Sequence, residues 1–145
     1  MFLNILVAYD GSPSSRAALE HAYELARAEN SKLTVLTVAP PPAAYVSLAG
    51  ASTERMKDEL DEWASRLARE AAAAAPDGVI VHTVQRHGHA GPEIVAEIES
   101  GSYDLVALGS RGRGRVSSEI LGSVNAFVHF HTKIPMLSID EPDTD

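Results

Sequence analysis

Gly109, Gly112, Gly122 and Ser123 are the residues whose types and spacing could do chemistry. Two residues separate the first pair of glycines, and nine separate Gly112 from Gly122. Glycine has no Cβ, so backbone at Gly109 and Gly112 can come close to the oxygens of a phosphate group. Successive N–H groups in such a loop can point inward as a nest for an anion. Gly122-Ser123 then opens a helix, whose N-terminus offers free N–H groups and the positive end of a dipole. The Ser123 hydroxyl can add a further hydrogen bond. Arg111, Arg113 and Arg115 alternate with Gly112 and Gly114, on a chain of net charge −8. A local positive loop on an acidic protein suits one small anion. It does not suit nucleic acid, which needs a basic face.

Other chemistries find less support. The chain has no cysteine, which excludes disulfides, thiolate metal sites and a cysteine nucleophile. The P-loop Gly-x4-Gly-Lys-Ser/Thr is absent, and the glycine loop contains no Lys. The first strand is not followed by the dinucleotide fingerprint Gly-x-Gly-x-x-Gly. His87 and His89 are two apart, as are His129 and His131, and residues two apart do not share a helix face. They read as structural or surface residues, and no metal ligand is assigned. Ser12, Ser15 and His21 lack the nucleophile elbow of a triad, and no catalytic residue is assigned.

The elements that must position the glycine loop alternate between strand and helix. Phe2 to Tyr9 is a short apolar run, suited to a strand buried on both faces. It reads as a first strand rather than a signal peptide. Asp10-Gly11 is a turn. Ser12-Pro13 is an N-cap with Pro in the first helical position, opening a helix to about Asn30 that buries Ala18, Ala22, Leu25 and Ala26. Lys32–Val38 is a second strand, followed by a Pro-rich loop over 39–51. Thr53–Ala75 is a long helix with Met56, Leu60, Trp63, Leu67 and Ala71 on one face, ended by Pro76-Asp77-Gly78. Val79–Val84 is a third strand. Pro92 starts a helix that Gly101 ends. Asp104–Leu108 is a fourth strand, and a helix from Gly122-Ser123 buries Val124, Phe127 and Val128. Met136–Ile139 is the last strand.

This alternation predicts a parallel five-stranded sheet with helices on both faces. The 145 residues are expected to form one domain over 1–140, with 141–145 a disordered acidic tail. No apolar run approaches the ~18 residues a membrane span needs, so a cytoplasmic location is expected. In such sheets ligands bind beyond the carboxyl ends of strands where the strand order reverses. If the first and fourth strands are neighbours, Asp10-Gly11-Ser12 and Gly109 to Gly114 line one crevice.

The run Leu108-Gly-Ser-Arg-Gly-Arg-Gly114, followed by Gly122-Ser-Val124, His131 and Pro135, resembles the ATP-binding motif of the universal stress protein family. Ile5-Leu-Val-Ala-Tyr-Asp-Gly-Ser12 is similar to the family's first strand and turn. The resemblance covers residues 2–140. It implies a single Rossmann-like, three-layer α/β domain of the ATP-binding subgroup. Asp10 would then contact ribose or base edge, with Ala8 and Tyr9 beside it, and backbone at Val38 and Ala39 would contact adenine. Gly109, Arg111, Gly112, Gly114, Gly122, Ser123 and Val124 would hold ribose and phosphates. A Mg²⁺ ion would bridge those phosphates. Asn125 stands where the family often has a small hydroxyl residue, and would hydrogen-bond phosphate. Ala90 stands where Pro is common, and Ile134 where Cys is common. Phe127 and Phe130 are bulkier than usual.

The resemblance also implies a homodimer through antiparallel pairing of Met136–Ile139. The expected function is that of a nucleotide-dependent regulatory or stress-response protein with no membrane and no nucleic-acid partner. Two alternatives are a slow ATPase or nucleotidyl- or phosphotransferase, and a dimeric scaffold that binds no nucleotide.

Overall fold

In the computed structural model, the described residues are 1–42, 53–111 and 122–140. Five parallel strands form one sheet: β1 (Asn4–Ala8), β2 (Lys32–Ala39), β3 (Ile80–His87), β4 (Leu105–Gly109) and β5 (Met136–Ile139). Their spatial order is β3-β2-β1-β4-β5. Four helices are described: α1 (Pro13–Glu29), α2 (Thr53–Ala73), α3 (Ala90–Ser100) and α4 (Ser123–His131).

The strand period of two sorts the central residues into two layers. Ile5, Val7, Leu33, Val35, Leu105 and Ala107 face α1 and α2, where they meet Leu19, Ala22, Tyr23 and Leu67. Leu6, Leu36, Val106 and Leu108 face α3 and α4, where they meet Ile94, Ile98 and Val128. Both faces of β1 are therefore covered, and Ile5, Leu6 and Val7 are fully buried. Each such aliphatic side chain contributes roughly 1.5–3 kcal/mol through burial. This is why a continuous apolar run, and not an alternating one, marks the strand.

Local chemistry sets the element ends. Ser12 caps α1 by accepting the Ser15 N–H at 3.3 Å, with Pro13 in the first turn. Asn30 closes α1 in the left-handed region at φ 59°, its N–H bonded to the Ala26 carbonyl. β1 starts two residues later than the apolar run, because the Asp104 carboxylate takes the N–H groups of Leu3 and Asn4 at 2.8 and 3.1 Å. β3 runs three residues past Val84, since its pairing with β2 continues to Ala39 opposite His87. α3 begins at Ala90, before Pro92. Proline is tolerated there because first-turn N–H groups have no intrahelical partner. Beyond Ala73, the Ala74 and Ala75 N–H groups reach back only three residues.

The edge strand β3 is anchored to α3 by charge. Arg86 contacts Glu97 Oε1 at 2.9 Å and Glu93 Oε1 at 3.1 Å, while the Tyr103 hydroxyl donates to Glu97 Oε2 at 2.7 Å. The hydrogen bond to Glu97 raises the Arg86 pKa further above its ordinary value, against the opposing effect of burial. Gly91 lets α4 press on α3: a Cβ there would lie 2.9 Å from Phe127 Cδ1. The Phe127 ring in turn stacks on His131 with centroids 4.0 Å apart.

Candidate functional site

β1 pairs with β4 through Ile5–Leu105, Leu6–Val106 and Val7–Ala107. The strand order reverses between them, so their carboxyl ends open a crevice of the kind in which α/β sheets bind ligands. Its walls divide by chemistry. Ala8, Leu36, Val38, Ile94 and Leu108 make an apolar shelf, and Asp10, Ser15, Arg111 and Asn125 supply polar groups.

Of the residues expected from sequence, Ala8, Tyr9, Asp10, Val38, Gly109, Arg111, Val124 and Asn125 line this cleft. Ala39, Gly122 and Ser123 do not. The Ala39 carbonyl is occupied by the Gly88 N–H at 2.9 Å, across the β2/β3 ends. Gly122 is the N-cap of α4, and its own N–H goes to the Ser110 carbonyl at 2.7 Å. Ser123 opens α4 with its side chain exposed. Gly112 and Gly114 lie outside the described residues, as do Arg113, Arg115 and the 141–145 tail.

Two of these cleft residues also make contacts within the fold. Gly109 was expected to be glycine so that a ligand could approach. In the fold, a Cβ on Gly109 would sit 2.7 Å from both the Ser14 carbonyl carbon and the Ser15 nitrogen. The missing side chain admits the first turn of α1. Asn125 was expected to donate to phosphate. It is 2 % exposed, and its Nδ2 donates to the Gly109 carbonyl at 3.1 Å and to Ser138 Oγ at 2.8 Å. Both amide protons are thus engaged by protein.

The two loops of the crevice are held together by hydroxyls. Ser14 Oγ donates to the Arg111 carbonyl, and Ser12 Oγ lies 3.5 Å from the same oxygen. Asp10 shapes its own turn, its Oδ1 accepting the Ser12 N–H at 2.9 Å. Its backbone N–H reaches Ser15 Oγ at 3.3 Å. Tyr9 forms part of the cleft wall, yet its hydroxyl crosses to the α1/α2 layer and donates to Glu70 Oε1 at 2.6 Å. Burial, aided by the Glu70 carboxylate, pushes the Tyr9 phenol up to about 12.

Sequence reasoning missed Ser15, Leu36, Ala90, Ile94 and Leu108. Ser15 and Leu108 adjoin recognised motifs, and Leu36 is on the same face as Val38, so period two could have found it. Ala90 and Ile94 carry no local signal. They belong to the helix that follows edge strand β3, and only the crossover brings them over β1.

The histidines have other occupations. His87 Nε2 lies 2.6 Å from Asp61 Oδ1, and His21 Nδ1 lies 2.8 Å from the Ala17 carbonyl. Ser15 Oγ donates to the Ser12 carbonyl at 3.1 Å. Among the described residues, no three His, Asp or Glu side chains gather as metal ligands, and no helix is long and apolar enough to cross a membrane.

A sequence model of the universal stress protein family matches residues 1–139. The chain belongs to the universal stress protein family. Universal stress protein YxiE of Bacillus subtilis is 28 % identical over 147 aligned positions, covering 96 % of this chain and 99 % of YxiE. A solved universal stress protein in complex with cAMP is similar with a TM-score of 0.63 at 26 % identity, covering 97 % of this chain and 98 % of that one. An Arabidopsis thaliana family protein with AMP bound has the same fold, with a TM-score of 0.71 at 22 % identity over 97 % of this chain and 92 % of that one. The parallel sheet and its helices are thus those of a Rossmann-like universal stress protein.

Proposed function

We propose that this universal stress protein binds ATP in the β1/β4 crevice and acts as a nucleotide-dependent regulator in the cytoplasm. The observation that carries the reading is the joining of an apolar shelf (Ala8, Leu36, Val38) to the polar turn Gly109–Arg111 across a topological switch point. A purine base suits the shelf. Ribose and phosphates suit the end where Asp10 and Arg111 stand. Gly112, Gly114, Gly122 and Ser123 extend the phosphate end, by the resemblance of their spacing. The cAMP complex of a relative supports an adenine nucleotide as the ligand class. Mg²⁺ would hold the phosphates with few protein ligands, as that ion commonly does.

Regulation is favoured over turnover because the described part of the cleft has one carboxylate, Asp10, and its Oδ1 is spent on the turn. Hydrolysis needs a positioned water and charge stabilisation on the transferred group. The open edge of β5 supports a homodimer.

Titration calorimetry with Mg·ATP on the wild type and on Arg111→Ala tests the reading. Wild-type binding that weakens at least tenfold, about 1.4 kcal/mol, in a folded Arg111→Ala protein is the expected result. No heat of binding in the wild type, together with no nucleotide released from the purified protein by mass spectrometry, would leave the dimeric-scaffold alternative.

A further inference from the structure

The amide of Asn125 ties the cleft to the edge strand that pairs with β4. Asn125 lines the cleft, and its Nδ2 holds the Gly109 carbonyl at the end of β4. On the edge strand β5, the same Nδ2 holds Ser138 Oγ at 2.8 Å. Ser138 is exposed and does not line the cleft. Its backbone faces outward. The carbonyls of Pro135 and Ile139 accept N–H groups of Val106 and Ser110, so the odd-numbered residues of β5 turn their backbone toward β4. Alternation then leaves the N–H and C=O of Met136 and Ser138 on the open side of the sheet. A second bond runs parallel to the first: Ser110, next to Gly109, donates its N–H to the Ile139 carbonyl at 2.8 Å.

We infer that Asn125 is a positioning residue that couples occupancy of the cleft to the order of the β5 edge. The inference rests on the nucleotide reading above. A ligand packed on the Gly109–Arg111 turn restricts that turn. Through Asn125 and the Ser110–Ile139 bond, it restricts the strand whose outer side pairs with no other strand among the described residues. The coupling is reciprocal, because a free-energy link between two sites acts equally in both directions. Loosening β5 must therefore weaken the ligand, although β5 does not touch it. The partner so controlled is a second strand, donated by another copy of this chain, that pairs with the open edge.

The experiment is a double-mutant cycle on the full chain, with Mg·ATP as the probe. Ser138→Ala removes the hydroxyl that accepts from the buried Asn125 amide, so it should lower the thermal midpoint by a few degrees and leave the chain folded. It is expected to weaken ATP by up to about fivefold, the limit set by the worth of one ordinary hydrogen bond. Asn125→Ala should weaken it more, and the double variant no more than Asn125→Ala alone, because both changes cut one connection. Hydrogen exchange gives a second readout: ATP should slow exchange of the Ser110 amide in the wild type, and by less in Ser138→Ala. ATP bound equally well by wild type and Ser138→Ala would overturn the coupling while leaving the nucleotide reading intact. Additive losses in the double variant would overturn it as well. A wild type that binds no ATP would instead overturn the nucleotide reading, and the coupling with it.

Discussion

Gly109 and Ser14 are packed backbone to backbone: a side-chain carbon on Gly109 would fall 2.7 Å from the Ser14 carbonyl carbon. The glycine at the mouth of the cleft therefore seats α1 against β4. The Ser14 hydroxyl completes the joint by bonding the Arg111 carbonyl.

Gly109→Ala should accordingly destabilise the fold whether or not nucleotide is present. Backbone cannot swing aside as a side chain can, so overpacking should cost about 1–3 kcal/mol. Gly91→Ala makes the useful comparison, because the atoms nearest its new Cβ, from 2.9 Å outward, belong to the Phe127 side chain rather than to backbone. Urea unfolding should rank Gly109→Ala as the more harmful of the two. The reverse order would show that the α1 contact yields easily.

Glu97 accepts from both Arg86 and Tyr103, and its side chain is only 11 % exposed. Glu97→Ala leaves the guanidinium and the phenol short of a partner at the same time. A loss of about 2–3 kcal/mol is expected, below that of a fully buried pair because Arg86 is partly solvated. Arg66→Ala, at an exposed pair 4.0 Å from Glu62, should change stability little. Equal effects from the two substitutions in chemical denaturation would refute a structural role for the Arg86 cluster.

Alkaline pH should unfold the protein through its buried phenols. Tyr9, Tyr23 and Tyr103 all titrate at about 12 in the fold, against an ordinary 10.0, chiefly because burial disfavours the phenolate. A folded pKa above the unfolded one means that stability is complete below pH 10 and is lost as pH rises from there toward 12. In that window the deeply buried Tyr9 and Tyr23 should each remove up to roughly 1.4 kcal/mol per pH unit. Tyr23→Phe, which loses the bond from its hydroxyl to the Ala71 carbonyl, should be less stable at pH 7 but fall less steeply above pH 10. Unfolding free energies that stay flat between pH 10 and 12 would contradict these phenol environments.

Self-association through β5 should depend on which backbone groups a proline removes. Leu137 turns its N–H toward β4, so Leu137→Pro should break the ladder and unfold the strand. Met136 turns outward, and an edge position of that kind accepts proline. Met136→Pro should stay folded while losing the proposed dimer. Light scattering that finds a wild-type monomer at micromolar concentration would remove the dimer, and an unaltered dimer in Met136→Pro would place the contact elsewhere.

Much of this protein is legible in one dimension because its signals are local. The buried run Ile5–Val7, the Ser12-Pro13 cap and the Gly122-Ser123 opening of α4 act within a turn or a strand of themselves, so composition and period expose them. The alternation of strand and helix likewise requires a parallel sheet, and the Asp10 and Gly109 turns stand out as places where regular structure stops. Three-dimensional packing decided the rest. Only the strand order makes β1 and β4 neighbours and carries Ala90 and Ile94 over the cleft from an edge strand. Only contact with α1 shows what the bare Cα of Gly109 is for. Asn125 is the clearest case: its type suggests a donor for phosphate, but both its protons are taken by Gly109 and Ser138, which are 16 residues before it and 13 after. A side chain's type limits the bonds it can make. Which of them it makes depends on groups that meet only when the chain closes, and no local pattern in the sequence records that meeting.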